Sequence, residues 1–186
     1  MPSLYAHDPF LQLQGLLGSA WLDLPMAALT IVCEGWVLAL LTVLARWAAE
    51  RGLRRAVVSA LPVLLALLVA GLLAQGLKAI VDAPRPLGVL GAARVHVVLE
   101  PLYQHSFPSG HSAAVASLAA SAAVVFGGRA RWLWLLALLG GLSRVYVGAH
   151  WATDVVAGWT LGGAVGLVIG LVARRLDARR SGVEAG

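Results

Sequence analysis

Long apolar runs separated by short arginine-rich connections dominate the chain. Residues 24–45 give 22 positions with one charge, Glu34, and residues 56–77 give 22 with none. Residues 112–128 give 17 without charge, residues 132–149 give 18 with only Arg144, and residues 155–173 give 19 with none. A spanning helix needs about 20 residues, with a range of about 17–25. All five runs qualify, and none alternates in the ten-residue pattern of a membrane β-barrel. The pattern predicts an all-α integral membrane helical bundle of five spans. Residues 1–22 differ: Tyr5, Phe10, Leu13, Leu16, Leu17 and Trp21 interleave with His7, Asp8, Gln12 and Gln14. This predicts an amphipathic N-terminal helix at the membrane interface, with a short sixth span as the less favoured alternative. The first twenty residues hold no Lys or Arg, so the charged n-region of a cleavable signal peptide is missing.

Composition strengthens the membrane assignment. The 186 residues are 60% hydrophobic and 12% charged, against about 45–50% and about 25% in an ordinary soluble domain. The net charge of +5 would suit a nucleic-acid partner, but its placement argues against one. Connection 46–55 carries four arginines and one glutamate, connection 127–131 two arginines, and the tail from residue 174 four arginines and two acids. These segments sum to +7 and the remainder to −2. Five spans bring all three to one face, which the positive-inside rule assigns to the cytoplasm. The expected arrangement is a multi-pass protein of the inner (cytoplasmic) membrane, N-terminus out and C-terminus in. One domain over 1–186 is expected, since neither repeat nor linker interrupts the chain. Gly158, Gly162, Gly166 and Gly170 recur every fourth residue, a ridge for close helix packing within the bundle. The lone Cys33 permits no intrachain disulfide and is expected to be an inert packing residue.

The uncommon polar residues collect on the outer face. Lys78-Ala-Ile-Val-Asp-Ala-Pro-Arg85-Pro86 closes the second span, Pro108-Ser109-Gly110-His111 opens the third, and Ser143-Arg144, His150 and Asp154 join the fourth to the fifth. Lys78, Arg85 and Arg144 are cations at a membrane surface, and Arg144 needs an anion or a polar cavity. Ser109 is placed to cap a helix, whose free N–H groups favour an anion. Guanidinium groups match phosphate in bidentate fashion. His150 and Asp154, spaced i, i+4, can share one face of a helix start. A carboxylate on one ring nitrogen fixes the tautomer and aims the other as a nucleophile. His111 is then available as the general acid. The set suffices for phosphoryl transfer through a phosphohistidine without a cofactor or metal, the cations supplying the electrostatic stabilisation.

K-A-I-V-D-A-P-R-P, P-S-G-H and S-R-V-Y-V-G-A-H-W-A-T-D resemble, in order and spacing, the three signature motifs of the type 2 phosphatidic acid phosphatase superfamily. That family includes membrane lipid phosphatases and, more distantly, vanadium haloperoxidases. With its helices the resemblance covers residues 56–173, the expected catalytic core. It implies His150 as nucleophile, Asp154 as its orienting partner and His111 as general acid, with Lys78, Arg85, Ser109, Gly110 and Arg144 holding the phosphate. Ser143 and Pro108 are motif scaffolding, and Ser143 is a further candidate donor to the phosphate. Members commonly show six spans, where this chain has five and an amphipathic start. The expected function is hydrolysis of a lipid phosphate or diphosphate on the outer face, with undecaprenyl diphosphate the favoured substrate. Phosphatidylglycerol phosphate, phosphatidic acid and lipid A phosphates are alternatives. An anion or lipid transporter is the alternative of another class. Glu34 matches no motif and is expected to make a hydrogen bond inside the bundle, and Asp82 is expected to anchor Arg85 or Lys78.

Overall fold

A computed structural model describes Tyr5 and residues 7–184. Every regular element among the described residues is helical: α1 (Phe10–Leu17), α2 (Ala20–Val32), α3 (Gly35–Glu50), α4 (Leu53–Val81), α5 (Pro86–Leu90), α6 (Gly110–Phe126), α7 (Leu133–Tyr146) and α8 (Ala152–Glu184), with a 3₁₀ turn at Gly128–Trp132. Two stretches, Leu53–Leu90 and Ala152–Arg180, are long and apolar enough to cross a membrane alone. The 17-residue α6 is apolar but shorter. The chain is an integral membrane helical bundle.

Its burial pattern is that of a helix set solvated by lipid. On α4 the buried positions are, apart from Leu67, small or β-branched, running Ala56, Ala60, Val63, Ala66, Ala70 and Ala74. The large side chains Leu61, Leu65, Leu68 and Leu72 point outward. Lipid tails solvate leucine as well as a protein core does, so close approach of backbones decides which face turns inward. Trp132 and Trp134 are both exposed, as residues that anchor a helix at a membrane interface are.

Two sequence expectations are corrected. The apolar run 24–45 is not one helix. It breaks at Cys33–Glu34, where Glu34 takes an extended conformation and becomes the N-cap of α3. A carboxylate in mid-span is costly, and the break turns it toward a polar cavity. Cys33 packs beneath α7, where a Cβ on Gly140 would lie 2.4 Å from its Sγ. The N-terminal helix is likewise much shorter than 1–22. Pro9 caps α1, and Gly18 ends it, since a Cβ there would lie 2.8 Å from Gln14 O. α2 then leaves at a bend of 117°, carrying Trp21. Residues 1–4 and 6 of the expected amphipathic stretch lie outside the described residues. α1 docks on protein through its apolar face, with Phe10 buried edge-on to Trp151 at 5.5 Å. The Gln14 amide grips His96 O at 2.8 Å and Tyr146 O at 3.0 Å and accepts from His96 N at 2.9 Å.

At the centre lies the α6–α8 pair. A Cβ on Gly158 would meet Ser109 O at 2.5 Å, on Gly162 Ala113 O at 2.0 Å, and on Gly166 Ser117 O at 2.4 Å. The glycine ridge therefore packs backbone against backbone inside one bundle. Ser117 and Ser121, buried on α6, return their hydroxyls to carbonyls three and four residues earlier, so no unsatisfied hydroxyl faces the seam. At one end of the seam Ser109 N donates to Asp154 O at 3.0 Å, which joins the starts of the two helices.

Gly162→Ala is expected to destabilise the bundle by about 1–3 kcal/mol through overpacking. Gly163→Ala, where the nearest atom is Trp134 Cη2 at 3.7 Å, is expected to be neutral. Thermal unfolding of both variants in detergent checks the contrast.

Candidate active site

Helix α4 carries Lys78 in its last turn, and Asp82 stops it in a left-handed conformation at φ 40°. The segment to α5 then lies against the connection 91–109. Arg85 N donates to Tyr103 O and Ser106 N to Ala83 O, both at 2.8 Å. This pairing surrounds two cations with carbonyl oxygens. Lys78 Nζ donates to His105 O at 2.9 Å. Arg85 Nε donates to Gln104 O at 2.7 Å and Nη1 to Ala149 O at 2.8 Å. These neutral acceptors orient the cations without cancelling their charge. Asp82 does not anchor either one: it pairs with the His105 ring at 3.0 Å, in the open.

His150 sits in the turn between α7 and α8. Ala149 N and His150 N both donate to Arg144 O, wrapping the end of α7. Gly148 has φ +77°, and a Cβ there would lie 2.6 Å from His96 O, so glycine is required. His150 is 1% exposed, and its Nδ1 lies 3.4 Å from Asp154 Oδ2. A carboxylate can only accept, so Nδ1 carries the proton and Nε2 keeps its lone pair. Arg85 Nη1 lies 3.4 Å from that Nε2. Burial first, then the charges of Arg144, Arg85 and Lys78, hold His150 well below the ordinary imidazole range. The ring is therefore neutral at physiological pH.

Asp154 is fully buried. Its Oδ2 also accepts from Trp151 N at 3.0 Å and from the Ser106 hydroxyl. Trp151 is fixed in turn by Pro84 O at 2.9 Å and by Tyr5, stacked at 4.5 Å. Asp8 caps α8 from across the chain, accepting from Ala152 N at 3.1 Å, Thr153 N at 3.0 Å and the Thr153 hydroxyl at 2.8 Å.

Lys78, Arg85, Gly110, His111, Arg144 and His150 all line one cavity of about 660 Å³. Ile31, Leu67, Leu99 and Leu102 give it an apolar side. Arg144 is 5% exposed, and its Nε is buried without a hydrogen-bond partner among the described residues. Ser109 lies beneath the cavity, its hydroxyl accepting from Ser112 N at 3.4 Å and Ser112 Oγ at 2.9 Å. Ser143 is buried scaffolding, bonded to Thr30 Oγ1 at 2.9 Å and Gly140 O at 2.8 Å. Among the described residues no three His, Cys, Asp or Glu side chains stand together as a metal-holding group.

Thus the eight candidate residues gather at one place, six on the cavity wall, with Asp154 and Ser109 behind it. Sequence reasoning missed Ser106 and Asp8, which act through the fold rather than through a motif. It also misplaced Glu34, which lines the cavity and stands 3.2 Å from His111 Nε2.

A membrane helical bundle with two histidines, a buried carboxylate and three carbonyl-held or unpartnered cations at one cavity defines a class of anion-handling membrane proteins. The chain belongs to the PAP2 superfamily, whose profile matches residues 59–177. It is 43% identical over 70 residues to an undecaprenyl-diphosphatase from Sulfolobus acidocaldarius, covering 35% of this chain and 32% of that protein. It is 40% identical over 70 residues to a lipid A 1-phosphatase from Rhizobium etli, covering 38% and 30% respectively. The matches thus span about a third of the length of these curated relatives. The crystal structure of Aquifex aeolicus LpxE superposes with a TM-score of 0.71 at 26% identity, over 86% of this chain and 91% of that one.

Removing the cap on α8 in Asp8→Ala is expected to cost about 0.5–2 kcal/mol, with Asp8→Asn close to the parent. Chemical unfolding in detergent measures both.

Proposed function

We propose that the chain is a lipid phosphatase acting as a single domain over 1–186. Its substrate would be a phosphate or diphosphate lipid presented at the outer face of the inner membrane. The observation that carries this reading is the buried, unpartnered Nε of Arg144 on a cavity wall shared with Lys78, Arg85 and two histidines. A surplus of buried positive charge is stable only if a polar cavity or an anion answers it. Phosphate is the anion that guanidinium geometry fits best.

The reaction follows from the roles of the side chains. The phosphate enters among Lys78, Arg85 and Arg144, at the N-terminus of α6 beside Gly110, while the lipid tail lies against the apolar side of the cavity. His150 Nε2 forms a bond to phosphorus as the bond to the leaving oxygen breaks. His111 gives that oxygen a proton, and Asp154 stabilises the charge that develops on His150. Water then attacks phosphorus and gives a proton to His111, the P–N bond breaks, and His150 returns to its neutral form with release of inorganic phosphate. No metal is required for any of these steps. Five crossings, the first broken at Cys33–Glu34, put the arginine-rich connections inside, with the N-terminus out and the C-terminus in.

Undecaprenyl diphosphate is the favoured substrate, supported by the likeness to an undecaprenyl-diphosphatase and by a site on the face where such a carrier is recycled. Lipid A 1-phosphate is the second reading, favoured by the likeness to a lipid A 1-phosphatase. Phosphatidylglycerol phosphate and phosphatidic acid complete the test panel.

Purified protein with that panel in mixed micelles is expected to release phosphate and to keep its activity in excess chelator. His150→Ala is expected to abolish release and His111→Ala to reduce it by about 10²–10⁴-fold, with both variants folded. Wild-type turnover by His150→Ala, or a strict requirement for magnesium, would contradict the reading.

A further inference from the structure

Each of the two cavity histidines has a carboxylate of its own. Asp154 serves His150 from beneath, fully buried. Glu34 reaches His111 from the break between α2 and α3, with Oε1 3.2 Å from Nε2. Its side chain is 42% exposed on the cavity wall, and His111 is its hydrogen-bond partner among the described residues. The carboxylate accepts, so Nε2 carries a hydrogen.

The charges around His111 make this contact consequential. Lys78 from α4, Arg85 from the segment before α5, Arg144 from α7 and His150 from the following turn line the same cavity, with Glu100 at its rim. Three cations oppose a second proton on the His111 ring. A general acid nevertheless has to hold a proton until the leaving oxygen takes it. An opposite charge within about 4–6 Å favours the charged form, and Glu34, at 3.2 Å, is within that reach.

We propose that Glu34 is a positioning residue for His111, holding its Nε2–H and favouring the imidazolium that donates to the leaving oxygen. The proton passes from His111 to that oxygen as the P–O bond breaks, leaving a neutral ring beside the Glu34 carboxylate. This inference rests on the phosphatase reading. The break in the apolar run 24–45 is what makes it stereochemically available, since a continuous helix would carry Glu34 within the bundle instead of at its cavity.

The test is the pH–rate profile of phosphate release for the parent, Glu34→Gln and Glu34→Asp, with melting temperature as the control for folding. Without the carboxylate the imidazolium form retreats to lower pH. The alkaline limb of Glu34→Gln is expected to move down by about one pH unit, equivalent to about tenfold lower turnover on the alkaline side. Its activity on the acid side should stay near that of the parent. Glu34→Asp keeps the charge and is expected to restore most of the limb. If the glutamine variant fails to fold, an aspartate limb at the parent position supports the proposal. A limb displaced as far as expected for glutamine overturns it. A glutamine variant slowed by one factor at every pH, unaffected, or inactive throughout while folded also overturns it. Absence of phosphate release by the parent protein would instead remove the phosphatase reading, and this inference with it.

Discussion

Everything at the cavity end of this bundle follows from burying positive charge without cancelling it. Desolvating a guanidinium costs several kcal/mol by order of magnitude, and the usual remedy is a carboxylate. Here Lys78 and Arg85 are met by carbonyl oxygens of residues 104, 105 and 149, dipoles that orient a cation yet leave its charge for something else. Arg144 keeps a buried nitrogen with no hydrogen-bond partner among the described residues. The deeply buried acid Asp154 is committed to His150, Ser106 and Trp151. The cavity is therefore preorganised for an anion, and burial first, then the same field, holds His150 well below the ordinary imidazole range.

Such an arrangement has to be held rigidly, and small residues do that here. The α6–α8 seam allows its backbones to touch at Gly158, Gly162 and Gly166, which fixes His111 at one helix start relative to Asp154 at the other. The connection 91–109 is then bound from both sides. Gln14 grips His96, whose ring pairs with Asp23 at 2.8 Å, and Asp23 also accepts from the Tyr146 hydroxyl at 2.6 Å. Two of the carbonyls that hold Lys78 and Arg85, those of Gln104 and His105, belong to this tethered connection. N-terminal residues far from the motifs in sequence, Asp8 and Gln14 among them, thus set the geometry of the charged wall.

Much of this was legible in the amino-acid sequence. The helical class followed from apolar runs of spanning length, and the close seam from four glycines at intervals of four. The gathering of Lys78, Arg85, His111, Arg144 and His150 was expected from the sequence, where five spans would put their three clusters on one face. What was not legible depended on contacts between distant segments. Asp8 looks like a local cap for α1, and its bonds to Ala152 and Thr153 have no sequence signature. Ser106 lies two residues before Pro108, but only the fold turns its hydroxyl onto Asp154. Hydropathy treats residues 24–45 as continuous, and a single glutamate followed by glycine was too slight a signal to reveal the break. Asp82 beside Lys78 and Arg85 in sequence suggested an anchor, yet the left-handed end of α4 turns it outward to His105.

The central claim is that this field of cations makes His150 Nε2 the atom that takes the phosphoryl group. The most direct measurement is a rapid acid-free quench of the protein during turnover of a lipid phosphate, followed by mass spectrometry of its peptides. The account predicts a phosphate adduct, stable to alkali and labile to acid, on His150 and absent from His150→Ala. An adduct on another residue, or full turnover with no adduct at any quench time while dephosphorylation is slowed, would contradict it.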